Sequence, residues 1–400
     1  MSIGLFGSMI THIKQIISLF FLMLPIRKRT IIIQSFGGQY NDNPKYISEE
    51  LYRTDPSSRI IWVKGASMID LPPEYIKVVQ LNSWEYLYWR SVAEVVVNNV
   101  GGLRGSQCKK NNIFANLYLK IASKKKKGQL CLSTWHGTPL KKIGNDSPDS
   151  KFYNTYRTID FLLSGCKHTS ACLRTAIGQD IPIMEIGTPR NDNFFKQYNI
   201  DELKKKLGLP IGKKIVLYAP TFRNSIEMSG AKQMEDLKID ILLDCLNSKF
   251  SGDFVFAFRL HYHVLRSVDI NRLKKVYGED CIFNGNEHDD MAEYLLCTDV
   301  LISDYSSSMF DFMLTARPIF MYAPDIESYG SDERGFYIPI TELPFPVSKT
   351  FDGLLSDIKS FDASQFEEDN AKFLNKLGNL ENGRASKQAV EKLLGFINRH

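Results

Sequence analysis

The sequence predicts an α/β protein of two doubly wound domains that face each other across a cleft. Three observations carry that prediction. Four hundred residues exceed one small domain and suit two of roughly 150 to 200 residues each. Short runs of almost wholly apolar residues alternate with helical segments, as parallel strands covered on both faces require. Those runs fall into two series, divided between 187 and 213 by a turn-rich stretch containing GTPRND and LPIGKK.

The first element, 1–29, is an amphipathic segment. From Ile3 to Ile26 the residues are mostly apolar, yet Ser8, Thr11, Gln15 and Ser18 recur at three- and four-residue spacing with Lys14 on the same side. The apolar stretch after Ser18 is too short to span a bilayer comfortably. No basic region opens the chain, and no small-residue cleavage site precedes Arg27-Lys28-Arg29. The expected state is a helix lying in the membrane surface, with the basic trio against anionic headgroups. The alternative is a helix packed on its own domain. A second basic run, Lys124 to Lys127, is either a solvated loop or part of the same face.

The first domain, 30–200, holds strand candidates at 30–36, 59–63, 76–80, 93–98, 129–134, 159–164 and 182–186. The second, 201–400, opens on a short helix around 200–207 and has strand candidates at 214–219, 253–258, 280–283, 298–302 and 317–321. Helices at 365–377 and 382–399 close it.

Composition agrees with a folded enzyme-sized protein. At 44% hydrophobic, 12% aromatic and 24% charged residues, the chain is neither disordered, collagenous nor coiled-coil. Its seven cysteines are scattered, with no CxxC pair, which argues against a disulfide framework or zinc ribbon and for a reducing, cytoplasmic compartment. The net charge of +5 hides an asymmetry: residues 1–200 carry 26 Lys+Arg against 14 Asp+Glu, and residues 201–400 carry 24 against 31. The basic half is suited to an anionic partner.

In open parallel sheets ligands bind outside the carboxyl ends of the strands, so polar residues directly after a strand are the site candidates. After 129–134 comes WHGTPLKK, where His136 can serve as a general base, Gly137 permits close backbone approach and Thr138 lines the turn. A loop histidine is equally able to be a packing residue. After 214–219, Arg223 suits bidentate contact with phosphate or a salt bridge. After 253–258, Arg259, His261 and His263 share one face of an extended chain, and either histidine can meet a phosphate. A metal held by His261 and His263 lacks a recognisable third ligand. After 298–302 the chain runs through Ser303, Asp304, Tyr305, Ser306, Ser307 and Ser308 into a helix, an arrangement that binds anions through free N–H groups and hydroxyls. Simple N-capping needs only one such residue. Asp304 would repel a phosphate at close range, so capping or orienting a neighbour suits it better. Finally GTPRND, with Arg190 and Asp192, sits at the domain boundary as hinge or cleft lining.

Taken together, WHGTPLKKIG at 135–144, GTPRND at 187–192, YAPTFR at 218–223, RLH at 259–261 and SDYSSSMFDFMLTARPIFMYAPD at 303–325 resemble the ordered motifs of the CDP-glycerol glycerophosphotransferases, the teichoic acid primases and polymerases. The resemblance covers roughly residues 90–330. It implies a GT-B-like fold of two Rossmann-type domains, His136 as the base, and His261 as a second essential histidine near the donor phosphates. Arg223 and Asp304 to Ser307 resemble the family's donor-binding elements, with Ser303 standing where threonine is common. Chain length resembles that of the single-transfer enzymes or capsule-type relatives.

The activity so implied is transfer of an alditol phosphate from CDP-glycerol or CDP-ribitol to a hydroxyl of an undecaprenyl-type lipid-linked glycan, releasing CMP, by a peripheral enzyme at the cytoplasmic face of the membrane. No nucleic acid partner is expected. No cofactor is indicated, and Mg²⁺ assistance is compatible with the chemistry without being called for. Two rivals are a nucleotide-sugar glycosyltransferase of the same architecture and a non-catalytic assembly protein that keeps the fold.

Overall fold

The computed structural model describes residues 19–99, 125–147, 156, 158–221, 234, 236–266, 268–327 and 335–399, with Tyr262 and His263 by backbone alone. The amphipathic segment before residue 19, Arg223 and the side chain of His263 therefore lie outside the described residues.

The first sheet is built from β1 (Arg27–Gln34), β2 (Arg59–Lys64), β3 (Lys77–Gln80), β4 (Ala93–Asn98), β5 (Leu130–Ser133), β6 (Phe161–Ser164) and β7 (Ile183–Glu185). Its order is β3-β2-β1-β4-β5-β6-β7, with every pair parallel. The second sheet comprises β8 (Lys214–Ala219), β9 (Phe254–Phe258), β10 (Ile282–Asn284), β11 (Val300–Ser303), β12 (Ile319–Tyr322) and β13 (Val347–Ser348), in the order β10-β9-β8-β11-β12-β13, again all parallel. Each sequence-predicted strand is present within a few residues. The additional β13 is a two-residue edge strand on β12, too short to leave an apolar run.

Helices cover both faces, as the continuous burial of β4, β9 and β11 demands. They are α1 (Asp42–Thr54), α2 (Trp84–Val92), α3 (Lys167–Ile177), α4 (Ile200–Lys206), α5 (Ile239–Phe250), α6 (Tyr262–Leu265), α7 (Ile270–Tyr277), α8 (Met291–Cys297), α9 (Ser308–Phe312), α10 (Phe351–Ser360), α11 (Ala363–Lys376) and α12 (Ala385–Ile397). Each sheet thus separates two apolar clusters. In the first domain Ile32, Ile61 and Val96 face one way while Ile31, Ile33 and Trp62 face the other.

One expectation changes, and one segment gains a structural role. The basic trio begins the sheet: Arg27 pairs in register with Ala93, Lys28 Nζ lies 3.1 Å from Glu94, and Arg29 lies 2.5 Å from Asp55. The last helix, expected to close the second domain, packs on the first. Ala389, Val390, Leu393 and Ile397 of α12 complete the cluster around Ile31, Leu51 and Trp62. Burying that apolar stripe against β1 and α1 is what draws the chain back across the cleft. The crossing segment is held by Leu380 N–H donating to Gly165 O and Lys167 N–H donating to Gly378 O.

On one side of the cleft the domains are bound by charge. Lys45 Nζ of α1 reaches Asp290 at 2.8 Å and Glu293 at 2.7 Å, and Tyr46 donates to Asp290. Asp289 accepts from the backbone N–H groups of Tyr40, Ile69 and Asp70.

Candidate active site

The cleft lies where the carboxyl ends of β4, β5 and β11 approach one another. Directly after β5, Trp135 adopts a left-handed backbone (φ 55°), and its indole Nε1–H donates to Gly137 O at 2.7 Å. The buried indole packs tilted against the His136 ring, with centroids 4.1 Å apart and the planes at 32°. This tight turn brings the imidazole to the cleft, where it keeps a solvent-exposed edge although protein atoms surround it closely. His136 Nδ1 lies 3.2 Å from the carbonyl oxygen of Asn99. A carbonyl only accepts, so Nδ1 carries the proton and Nε2 is left with its lone pair, the arrangement of a general base. Burial lowers the imidazole pKa below its ordinary 6.5, Arg190 adds to the lowering, and Asp42 and the Asn99 carbonyl oppose it.

Beneath this turn sits a buried charge cluster. Arg190 Nε and Nη2 donate to Asp311 at 3.1 and 2.8 Å, and Nη1 donates to Asp42 at 2.5 Å. Burial works against the guanidinium charge, but Asp311 and Asp42 more than offset it and hold its pKa above the ordinary value. Asp311 belongs to α9 of the second domain, so this ion pair joins the two halves. Asn43 completes the link: it donates to Trp135 O at 3.1 Å and accepts from Arg190 N–H at 3.1 Å. Asn191 donates to Asp311 and to Glu381, each at 3.1 Å.

The serine turn of the second domain faces this assembly. Gly137 adopts φ 130°, and a Cβ placed on it would stand 3.2 Å from Ser307 Oγ. Ser306 and Ser308 exchange a 2.9 Å hydroxyl contact, and Ser306 Oγ also accepts weakly from Ser308 N–H. His136, Gly137, Arg190, Ser306, Ser307 and Ser308 are therefore brought together. His261 follows β9, which stands two strands from β11, a separation of about 10 Å.

Other candidates have defined structural partners. Ser303 is fully buried and its hydroxyl donates to Ala219 O at 2.7 Å, tying β11 to β8. Asp304, also buried, accepts from Thr221 N–H at 2.7 Å and so orients the loop after β8. Arg259 donates to the carbonyls of Gly285, His288 and Asp289 at 2.5 to 2.8 Å, with Tyr294 beneath its guanidinium. Thr138 meets Cys166 and Thr169 inside the first domain. Asp192 accepts from Ala385 and Ser386 N–H at 2.9 and 2.7 Å and caps α12.

The chain matches the family model described as CDP-Glycerol:Poly(glycerophosphate) glycerophosphotransferase over residues 16–395. It belongs to that family. Membership carries the reaction class, transfer of glycerol phosphate from CDP-glycerol. Similar curated glycerophosphotransferases include a teichoic acid poly(glycerol phosphate) polymerase of Staphylococcus epidermidis, 34% identical over 90% of this chain and 50% of that protein. A teichoic acid poly(glycerol phosphate) polymerase of Bacillus spizizenii is 29% identical over 98% of each chain. A teichoic acid glycerol-phosphate transferase of Staphylococcus aureus is 30% identical, covering 91% of this chain and 92% of that one. The chain thus spans half of the first relative and nearly all of the other two. Among solved structures, the wall teichoic acid polymerase TagF superposes with a TM-score of 0.80 at 30% identity, over 100% of this chain and 97% of that one. The UDP-GlcNAc 2-epimerase of Methanocaldococcus jannaschii, at TM-score 0.50 and 12% identity over 91% and 99% of the two chains, shares the fold of two parallel-sheet, Rossmann-like domains.

Proposed function

We propose that this glycerophosphotransferase moves glycerol phosphate from CDP-glycerol to a hydroxyl of a membrane-bound, undecaprenyl-type glycan lipid, releasing CMP, in synthesis of a teichoic acid or capsule-type polymer at the cytoplasmic face of the membrane. The single observation that carries the reading is the meeting of the His136 turn with the Ser306–Ser308 turn across the cleft. The donor pyrophosphate lies against Ser306, Ser307 and Ser308, with Arg223 and His261 neutralising its oxygens. His136 Nε2 takes the proton of the acceptor hydroxyl, whose oxygen forms a bond to the β-phosphorus in line. The bond from that phosphorus to the bridging oxygen breaks, and CMP departs with the electron pair. Such a transfer depends on positioning and on neutralised phosphate charge, which these groups supply.

Glycerol is favoured over ribitol because the relatives matched over nearly their full length carry glycerol phosphate in their names. Membrane docking is supported at the edge of the amphipathic segment, where Phe20, Met23 and Leu24 are exposed and Lys126 Nζ donates to the carbonyls of Phe21 and Leu24. Among the described residues no helix is long and apolar enough to cross a membrane.

Purified enzyme incubated with CDP-glycerol, CDP-ribitol and lipid-linked disaccharides tests the reading by mass spectrometry of the products. CMP together with an acceptor heavier by one glycerol phosphate is expected. A released nucleoside diphosphate would instead establish the glycosyltransferase alternative. His136→Ala is expected to abolish transfer while CDP-glycerol still binds.

A further inference from the structure

We propose that Asp42 and Asn99 are positioning residues that set the tautomer and proton affinity of His136, an inference that rests on the reading of His136 as the base. Asn99 follows β4 and is 1% exposed. Its carbonyl is the acceptor for His136 Nδ1, and its side-chain amide is clamped from two directions. Asn99 Nδ2 donates to Asp42 Oδ2 at 2.5 Å and to Ser35 Oγ at 3.2 Å. These two bonds anchor the Asn99 side chain and, through its Cα, restrain the backbone whose carbonyl selects the Nδ1–H tautomer.

Asp42 acts twice in this arrangement. Through Oδ2 it fixes Asn99, and through Oδ1 it accepts from Arg190, itself held by Asp311. Among the described residues the charged groups acting on the imidazole are Asp42, which favours the imidazolium, and Arg190, which opposes it. Asp42 therefore screens Arg190 from the ring and stabilises the positive charge that forms when Nε2 accepts the acceptor proton. Its backbone lies in the left-handed region at φ 57°, a conformation that Asp and Asn tolerate better than other side chains do. That tolerance makes Asp42→Asn the mildest probe: it keeps the backbone and one accepting oxygen, and removes the charge together with one of the two accepted bonds.

The test uses the intact protein labelled with ¹⁵N-histidine, with His136→Gln assigning the His136 signals among the seven histidines. Wild-type His136 is expected as the Nδ1–H tautomer. Asp42→Asn is expected to titrate at lower pH than wild type, to shift the acid limb of the kcat profile the same way, and to lower kcat about tenfold or more with KM for CDP-glycerol little changed. Asn99→Ala, checked for folding by thermal melting, is expected to show a mixture of tautomers, and it serves as the deciding variant should Asp42→Asn not fold. Unchanged titration in Asp42→Asn, or an unchanged pure tautomer in Asn99→Ala, would overturn the inference. The base reading fails separately, if His136→Ala keeps its turnover.

Discussion

Gly137 of the first domain and Ser307 of the second approach so closely that a Cβ on Gly137 would stand 3.2 Å from Ser307 Oγ and 2.7 Å from Arg190 Nη2. The contact lets the loops after β5 and β11 share one site. With φ at 130°, Gly137 also occupies backbone space that other residues rarely enter. Gly137→Ala is therefore expected to push the two turns apart and lower kcat on the order of 10²-fold, since small misplacements at a reacting centre have effects of that size. Steady-state kinetics check it, and turnover within a factor of two of wild type would mean that the close approach is dispensable.

Arg190 is the buried cation between Asp42 and Asp311. Removing it leaves two carboxylates without their shared partner, so Arg190→Ala is expected to lose about 3 to 5 kcal/mol of stability. Arg190→Lys keeps the charge but not the fork that serves both acids, and should fall between the two. Urea midpoints for the three proteins decide this, with equal midpoints for wild type and Arg190→Ala as the contrary result.

Glu381 lies in the crossing segment, accepting from Thr188 N–H at 2.8 Å and Asn191 Nδ2 at 3.1 Å. Burial raises its pKa from 4.5 to about 7, with Asp311 adding to the rise and the Thr188 and Asn191 bonds opposing it. A carboxyl whose pKa is raised on folding contributes stability that is complete below its unfolded pKa and is lost as pH climbs through its folded one. Wild type should thus lose on the order of 3 kcal/mol between pH 4.5 and 7 from this group. Glu381→Gln should flatten that part of the stability profile, and parallel profiles for the two proteins would contradict the assignment.

Arg259 gives its guanidinium to three carbonyls of the 285–289 loop. Arg259→Ala is expected to reduce stability by roughly 3 kcal/mol or more, because hydrogen bonds to a charged donor are the stronger kind and the carbonyls lose their partner. KM for CDP-glycerol should change far less than it does for Ser306→Ala. Intact stability with donor affinity lost would return Arg259 to the phosphate.

The sheets were legible because apolar strand runs and turn residues are local signals. Ile31–Ile33, Val95–Val97 and Val300–Ile302 announce buried parallel strands by composition alone. The strand-end positions of His136 and Ser306–Ser308 were legible because apolar runs directly precede both. The partners of that site were not. Asp42 and Asn43 follow no strand directly, and Asp311 is a lone acid in the apolar run MFDFML, whose meaning appears only when Arg190 of the other domain lies against it. Asn99 also follows a strand directly, so the rule that found His136 could have found it. Arg259 shows the converse: a strand-end polar residue can serve neighbouring backbone as readily as a ligand, and sequence spacing does not distinguish the two. The return of α12 to the first domain depends on which apolar face is left uncovered, a tertiary fact that an amphipathic helix does not itself encode.

A crystal structure of the enzyme with CDP-glycerol tests the central claim most directly. The pyrophosphate is expected within hydrogen-bonding distance of Ser306, Ser307 and Ser308, its β-phosphorus open to a hydroxyl held at His136 Nε2. A cytidine nucleotide bound elsewhere, with His136 closed off from its phosphates, would contradict the account.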